Sequence, residues 1–137
     1  TDRFISFEGN TGPYILYTIV RIKSILNKYK ENGGQVTEKG AEKKILSAKG
    51  VSEKALMLQL SKYNEVIENS FAETAPHKIC QYIYELANAF NSFYHDTKIL
   101  SEEDPAVKDS YIGLITLTRR TLEICIGLLG IEAPERM

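Results

Sequence analysis

The sequence predicts an all-α fold, a single bundle of about five helices. Apolar residues recur at spacings of three and four along most of the chain, the period that lines one face of a helix. No alternating apolar and polar run exceeds four residues, so nothing reads as a half-buried strand. Helix punctuation, proline behind a polar residue and glycine after the last periodic position, brackets the same stretches. A length of 137 residues suits one domain with one core, and no segment repeats at a fixed period.

The elements follow in order. Residues 1–12 read as an extended or looped leading segment that ends in Glu8-Gly9-Asn10-Thr11-Gly12. Thr11 is the expected cap of the first helix and Pro13 lies in its first turn, where a missing N–H costs nothing. Ile15, Ile19, Ile22 and Leu26 form its aliphatic stripe, and Asn32-Gly33-Gly34 ends it. Tyr14, Tyr17 and Arg21 group on a face turned well away from that stripe. This face is either a second packing surface or a stacking surface with a guanidinium beside it, suited to an unpaired base or a phosphate.

A short helix is expected over Glu38 to Ala48, using Ala41, Ile45 and Leu46. Another starts after Ser52 as cap and runs to Glu73 through Ala55, Leu56, Leu58, Leu60, Tyr63, Val66, Ile67 and Phe71, with its spacing slipping between Ser61 and Asn64. Pro76 opens the most regular helix, whose seam is Ile79, Ile83, Leu86, Phe90 and Phe93. Ser101-Glu102-Glu103-Asp104-Pro105 is a capping turn with proline just inside the last helix. Tyr111, Leu114, Ile115, Leu117, Leu122, Cys125, Ile126 and Leu129 form the buried face of that helix, and Gly130 its left-handed stop. A tail over 131–137 follows, with Ile131, Ala133 and Met137 as apolar anchors.

Composition narrows the function. At 43% hydrophobic and 26% charged, with 4 Pro and 9 Gly, the chain falls outside the disordered and collagen-like classes. Its longest apolar run, Tyr14 to Val20, is too short to span a bilayer and no export signal opens the chain, so a cytosolic protein without membrane contact is expected. The net charge of -1 hides an asymmetry: Arg21 to Lys54 holds nine basic residues against four acidic ones, net +5, and the remainder is net -6. That segment is either a solvated helical surface or a local positive face.

Catalytic constellations are missing. There is no phosphate loop ending in Gly-Lys-Ser/Thr, no His-Glu-x-x-His, and no serine or cysteine with a histidine in a strand-turn-helix context. His77 and His95 stand at helix ends, as surface histidines do. Glu102-Glu103-Asp104 lacks the spaced oxygens of a calcium loop, and Cys80 and Cys125, inside apolar helical patterns, read as buried free thiols without zinc-ligand spacing. The chain reads as a binding module, with no metal and no cofactor of its own.

Packing leaves three features unexplained, the Glu8 to Tyr17 segment, the Asn91 to His95 helix end and the tail to Met137, and these, with stretches across nearly the whole chain, carry a family resemblance. Ser6-Phe7-Glu8-Gly9-Asn10-Thr11-Gly12-Pro13-Tyr14-Ile15-Leu16-Tyr17, with Arg21 one turn later, resembles the junction between the catalytic and C-terminal anticodon-binding domains of arginyl-tRNA synthetases. The resemblance continues through Tyr84-Glu85-Leu86-Ala87-Asn88-Ala89-Phe90-Asn91-Ser92-Phe93-Tyr94 and Thr118-Arg119-Arg120-Thr121-Leu122. It closes with Gly127-Leu128-Leu129-Gly130-Ile131 and Ala133-Pro134-Glu135-Arg136-Met137, similar to the end of those enzymes. Leu16 stands where the family usually has Gln, Lys98 where some members place an aromatic, and the Asp-Ala-Leu-Arg tetrapeptide that names the domain is not intact.

The resemblance implies one anticodon-binding domain over 1–137, with 1–12 leading in from a catalytic domain outside the chain. It implies a grip on the anticodon stem-loop of arginine tRNA, while that other domain joins arginine to the tRNA using ATP. Such a chain binds without aminoacylating. Tyr17, Arg21, Tyr94 and Met137 match positions that the family uses for the anticodon; Tyr14, Asn91 and Arg119 join them as further candidates. The alternative for the tyrosines is bundle packing with a wet hydroxyl, and for Arg119 and Arg120 pairing with acidic surface. The rival function is a helical protein-interaction module docking through the Phe4 to Tyr17 segment; an independent enzyme would have to show turnover.

Overall fold

A computed structural model describes residues 11–73 and 76–130. The expectations for the leading segment before Thr11, for the side chain of Phe71, and for the tail with Met137 lie outside the described residues. Within them are five α-helices, α1 (Gly12–Glu31), α2 (Val51–Ser61), α3 (Tyr63–Glu73), α4 (Pro76–Asp96) and α5 (Pro105–Leu128), a single 3-10 turn at Ala41–Lys44, and no strand.

The two most periodic segments form the centre. On α4 the predicted seam is buried throughout, with Ile83, Leu86, Phe90 and Phe93 fully inaccessible. On α5, Leu114, Ile115, Leu122 and Cys125 are equally enclosed, while Leu117 and Leu129 of the expected face are only half-buried. Phe93 meets Tyr111 edge-on at 5.5 Å between ring centroids, joining the two helices through an aromatic pair. The α1 stripe of Ile15, Ile19, Ile22 and Leu26 completes this core.

The hydrogen bonds fix how α1 lies between its neighbours. Contacts Tyr14 to Asn88 and Arg21 to Asn91 advance together, so α1 and α4 run in the same direction. Lys23 pairs with Glu123 and Tyr29 with Asp109, so α5 runs the opposite way along the other flank of α1.

Several expected boundaries are corrected. Thr11 precedes α1 without a side-chain capping bond, and α2 starts two residues early, with Gly50 and not Ser52 at its cap position. The helix expected over Glu38 to Ala48 is only the 3-10 turn, because Gly40 takes a left-handed φ of +80° and Ile45 is already extended. Leu46, assigned to its apolar face, is 45% exposed. Lys62 breaks the segment from Ser52 to Glu73 into α2 and α3 where the spacing slips; among its apolar residues with described side chains Leu56 alone is fully buried, and Leu58 is exposed. Other signals hold: Asp104 accepts from the Ala106 N–H at 2.9 Å, and Gly130 closes α5 with φ +77°.

Gly113 explains how the 3-10 turn is seated. A Cβ there would stand 2.6 Å from the Ala41 carbonyl oxygen, so only glycine lets that backbone lie on α5. The turn is pinned beside it by the Leu46 N–H donating to Ser110 Oγ at 2.8 Å.

Candidate nucleic-acid interface

The parallel neighbours α1 and α4 leave a groove of about 620 Å³ along their exposed side, lined by Tyr17, Arg21, Lys28, Tyr94, His95 and Lys98 among others. Helical spacing accounts for this: Tyr14, Tyr17, Arg21 and Lys28 recur at intervals of three, four and seven, one face of α1 at about 100° per residue. Asn88, Asn91 and Tyr94 do the same on α4.

Asn91 organises the site. Its Oδ1 accepts from Arg21 at 2.8 Å, and its Nδ2 lies 3.0 Å from three acceptors, Tyr14 Oη, Thr18 Oγ1 and the Ala87 carbonyl. A guanidinium only donates, so the amide has one consistent orientation. Tyr14 in turn donates to Asn88 Oδ1 at 2.6 Å, and Thr18 to the Tyr14 carbonyl at 2.9 Å. The Asn91 side chain is thereby fully engaged by α1 and α4 themselves.

Arg21 sits between two rings, 4.3 Å from the Tyr94 centroid and 4.9 Å from that of Tyr17, and donates to Tyr17 Oη at 2.7 Å. Its partners among the described residues are all neutral, so its charge is held in place and not cancelled by them. Buried Phe90 backs Tyr94 with a centroid distance of 6.2 Å and 28° between planes. The two rings still offer surface, Tyr17 being 50% and Tyr94 38% exposed. A rigid cation flanked by open aromatic faces is what an unstacked base beside a phosphate requires.

Five of the seven residues singled out in the sequence, Tyr14, Tyr17, Arg21, Asn91 and Tyr94, thus form one connected site. Arg119 does not join it. It lies on α5 between two carboxylates, bonded to Glu123 at 2.6 Å and to Glu38, with Arg120 donating to the Glu38 carbonyl at 2.7 Å. Glu123 also takes Lys23 of α1 at 3.2 Å, and Lys23 follows Arg21 by two residues, about 200° around the helix. Arg119 therefore faces the flank of α1 away from the groove, in the acid-pairing role. Met137 lies outside the described residues.

Sequence reasoning missed Thr18, Asn88 and Lys28. Thr18 and Asn88 each had a signal, standing one turn from a selected residue on the same face. Lys28 stands out in the sequence only as part of the basic segment from Arg21 to Lys54. The thiols offer no nucleophile: burial pushes Cys125 up to about 12 and Cys80 in the same direction. No group of three metal-ligating side chains occurs among the described residues.

Fold and site together define a helical domain with a preorganised cationic and aromatic groove. The model of the DALR anticodon binding domain matches residues 15–137, and the chain belongs to that family. It is 62% identical over 136 residues to the arginine–tRNA ligase of Agathobacter rectalis and 44% identical to that of Pseudomonas aeruginosa, each match covering 99% of this chain. The arginyl-tRNA synthetase of Thermus thermophilus superposes with a TM-score of 0.76 at 31% identity, over 96% of this chain and 22% of that one. The chain spans 22% of the length of both curated relatives, about a fifth. No helix among the described residues is long and apolar enough to cross a membrane.

Proposed function

We propose that the chain binds the anticodon stem-loop of arginine tRNA as the C-terminal part of an arginine–tRNA ligase, in the cytoplasm. The observation that carries this is Arg21, held on neutral acceptors between two half-exposed tyrosines in an open groove. The names of the relatives supply the amino acid and the reaction. A loop base stacks on Tyr17 or Tyr94, Arg21 meets a phosphate or a base edge, and the Asn91 network keeps the guanidinium from turning. Residues 1–12 lead in from a catalytic part outside this chain, which uses ATP to join arginine to the tRNA. Residues 131–137 form a tail whose Met137 packs at the anticodon, and this domain alone binds without aminoacylating and needs no cofactor.

The test is binding of the 137-residue chain to the anticodon stem-loop, to the same stem-loop with its middle anticodon base changed, and to a duplex of equal charge. Preference for the native loop is expected. Equal, weak binding to all three with one salt slope overturns the reading and leaves a protein-interaction module in its place.

A further inference from the structure

The groove is not uniform along its length. Toward the N-terminal ends of α1 and α4, beyond the groove's own lining, the face these helices share is aromatic and amide-rich, with the Tyr14 and Tyr84 rings 5.9 Å apart and Tyr14 bonded to Asn88. Tyr17, Arg21 and Tyr94 line the near end of the groove. Toward the C-terminal ends of both helices it becomes basic: Lys28, two turns beyond Arg21 on the same face, forms one wall, and Lys98, two residues past the end of α4, belongs to the other.

Both lysines are exposed, and among the described residues neither forms an ion pair. Two helix C-termini converge here, and a pair of negative helix ends leaves such a spot unfavourable to anions unless cations are supplied. Beyond Lys98 a second hollow of about 590 Å³ shares Thr97, Lys98 and Ser101 with the groove, but Glu53, Asp96, Glu102 and Glu103 line it against two lysines, Lys49 and Lys98. That side repels phosphate. Past Arg21, the positive charge of the groove thus lies between Lys28 and Lys98 and does not extend into the second hollow.

We infer that Lys28 and Lys98 are backbone-binding residues that hold, from opposite walls, the phosphodiesters next to the nucleotide engaged at Arg21. The ligand class is single-stranded RNA, and the contact carries no base preference. Base readout and backbone grip then occupy successive segments of one groove, with the carboxylates past Ser101 ending the path. This inference rests on the anticodon reading for the identity of the loop but not for the chemistry of the contact.

The experiment follows the affinity of the 137-residue chain for the anticodon stem-loop across a salt series. Lys28→Ala and Lys98→Ala are each expected to lower the steepness of log K against log salt by about 0.7, the value for one phosphate on a single strand. The double variant should lose about twice that, while the ratio between native and base-changed loops stays at the parental value. Lys28→Arg and Lys98→Arg should restore the slope, which a merely structural role at a helix end would not produce. Parental steepness in the double variant overturns the inference while leaving the anticodon reading standing, provided the parent discriminates between loops. If the parent shows no discrimination, the same slopes on an unstructured RNA decide: loss on Lys substitution keeps the backbone contact, and unchanged slopes remove it.

Discussion

Two arginines on two flanks of α1 show how differently one residue type is used. Arg21, toward α4, rests on an amide oxygen, a phenol and two ring faces, all neutral, and keeps its full charge among the described residues. Arg119, on α5 beside the other flank, is enclosed by Glu38 and Glu123, with its side chain only 13% exposed. The first carries a charge that no carboxylate among the described residues offsets; the second is cancelled internally and ties the segment after α1 to the bundle. What separates a recognition arginine from a structural one is therefore the charge of its partners, more than its exposure.

The sharpest way to break this comparison is Tyr94→Ala. The variant removes one face of the Arg21 sandwich and a stacking surface backed by Phe90, and should weaken stem-loop binding by about 1–3 kcal/mol, the range for one base–aromatic stack. Helicity by circular dichroism should hold, since the ring is 38% exposed. Parallel losses of helicity and binding would make Tyr94 a packing residue and remove the contrast between the two flanks.

Gly113→Ala tests the other flank. The added methyl meets the Ala41 carbonyl oxygen at 2.6 Å and lifts the 3-10 turn from α5. Overpacking of this kind costs about 1–3 kcal/mol, offset in part by the roughly 1 kcal/mol that alanine gains over glycine inside a helix. A lower urea midpoint with unchanged loop discrimination is expected; loss of discrimination equal to that of Tyr94→Ala would show the flanks to be one unit.

The outcome for individual residues shows what periodicity carries. Spacing of three and four places Ile15, Ile83, Phe90 and Leu114 in the core because burial on a helix is a matter of angle alone. The same angles bring Tyr14, Tyr17 and Arg21 onto one face. They carry no information on Glu38 and Arg119, which lie 81 residues apart in sequence and meet through the path of the segment after α1. That segment misled the reading for a local reason: Ala41, Ile45 and Leu46 have helical spacing, but Gly40 at φ +80° and the extended Ile45 allow only one turn. Lys62, a good helix former, likewise gives no sign in composition of the break between α2 and α3, which only the slipping apolar register betrays.

Asn91→Asp sharpens the comparison by giving Arg21 the kind of partner that Arg119 has. The substitution keeps the oxygen that accepts from Arg21, adds a negative charge, and removes the Nδ2 donor to Tyr14, Thr18 and Ala87. With its charge cancelled, Arg21 no longer gains from a phosphate, so the salt dependence of stem-loop binding should flatten by about 0.7 in log–log slope. Asn91→Ala separates the two effects, since it frees the guanidinium without neutralising it and should leave the slope close to the parental one. Equal slopes in both variants would mean that Arg21 reads a base edge and not the backbone.

Arg119→Ala should have the smallest effect. Glu38 is 56% exposed on its side chain and is returned to water when the arginine is removed, so its desolvation cost is slight. Glu123 retains Lys23 at 3.2 Å, and Arg120 still donates to the Glu38 carbonyl, so the connecting segment keeps one of its ties to α5. Screening by solvent limits pairs of this kind to about 1 kcal/mol or less, and the loss of thermal stability should fall in that range and shrink further as salt is raised. Binding should not move: neither the affinity for the stem-loop nor the salt slope depends on a cation whose field two carboxylates already cancel. A drop in slope of the size expected for Arg21 would place Arg119 on a phosphate after all, with Glu38 displaced by the ligand, and the partner-charge criterion that distinguishes the two flanks would fail at the residue that best illustrates it.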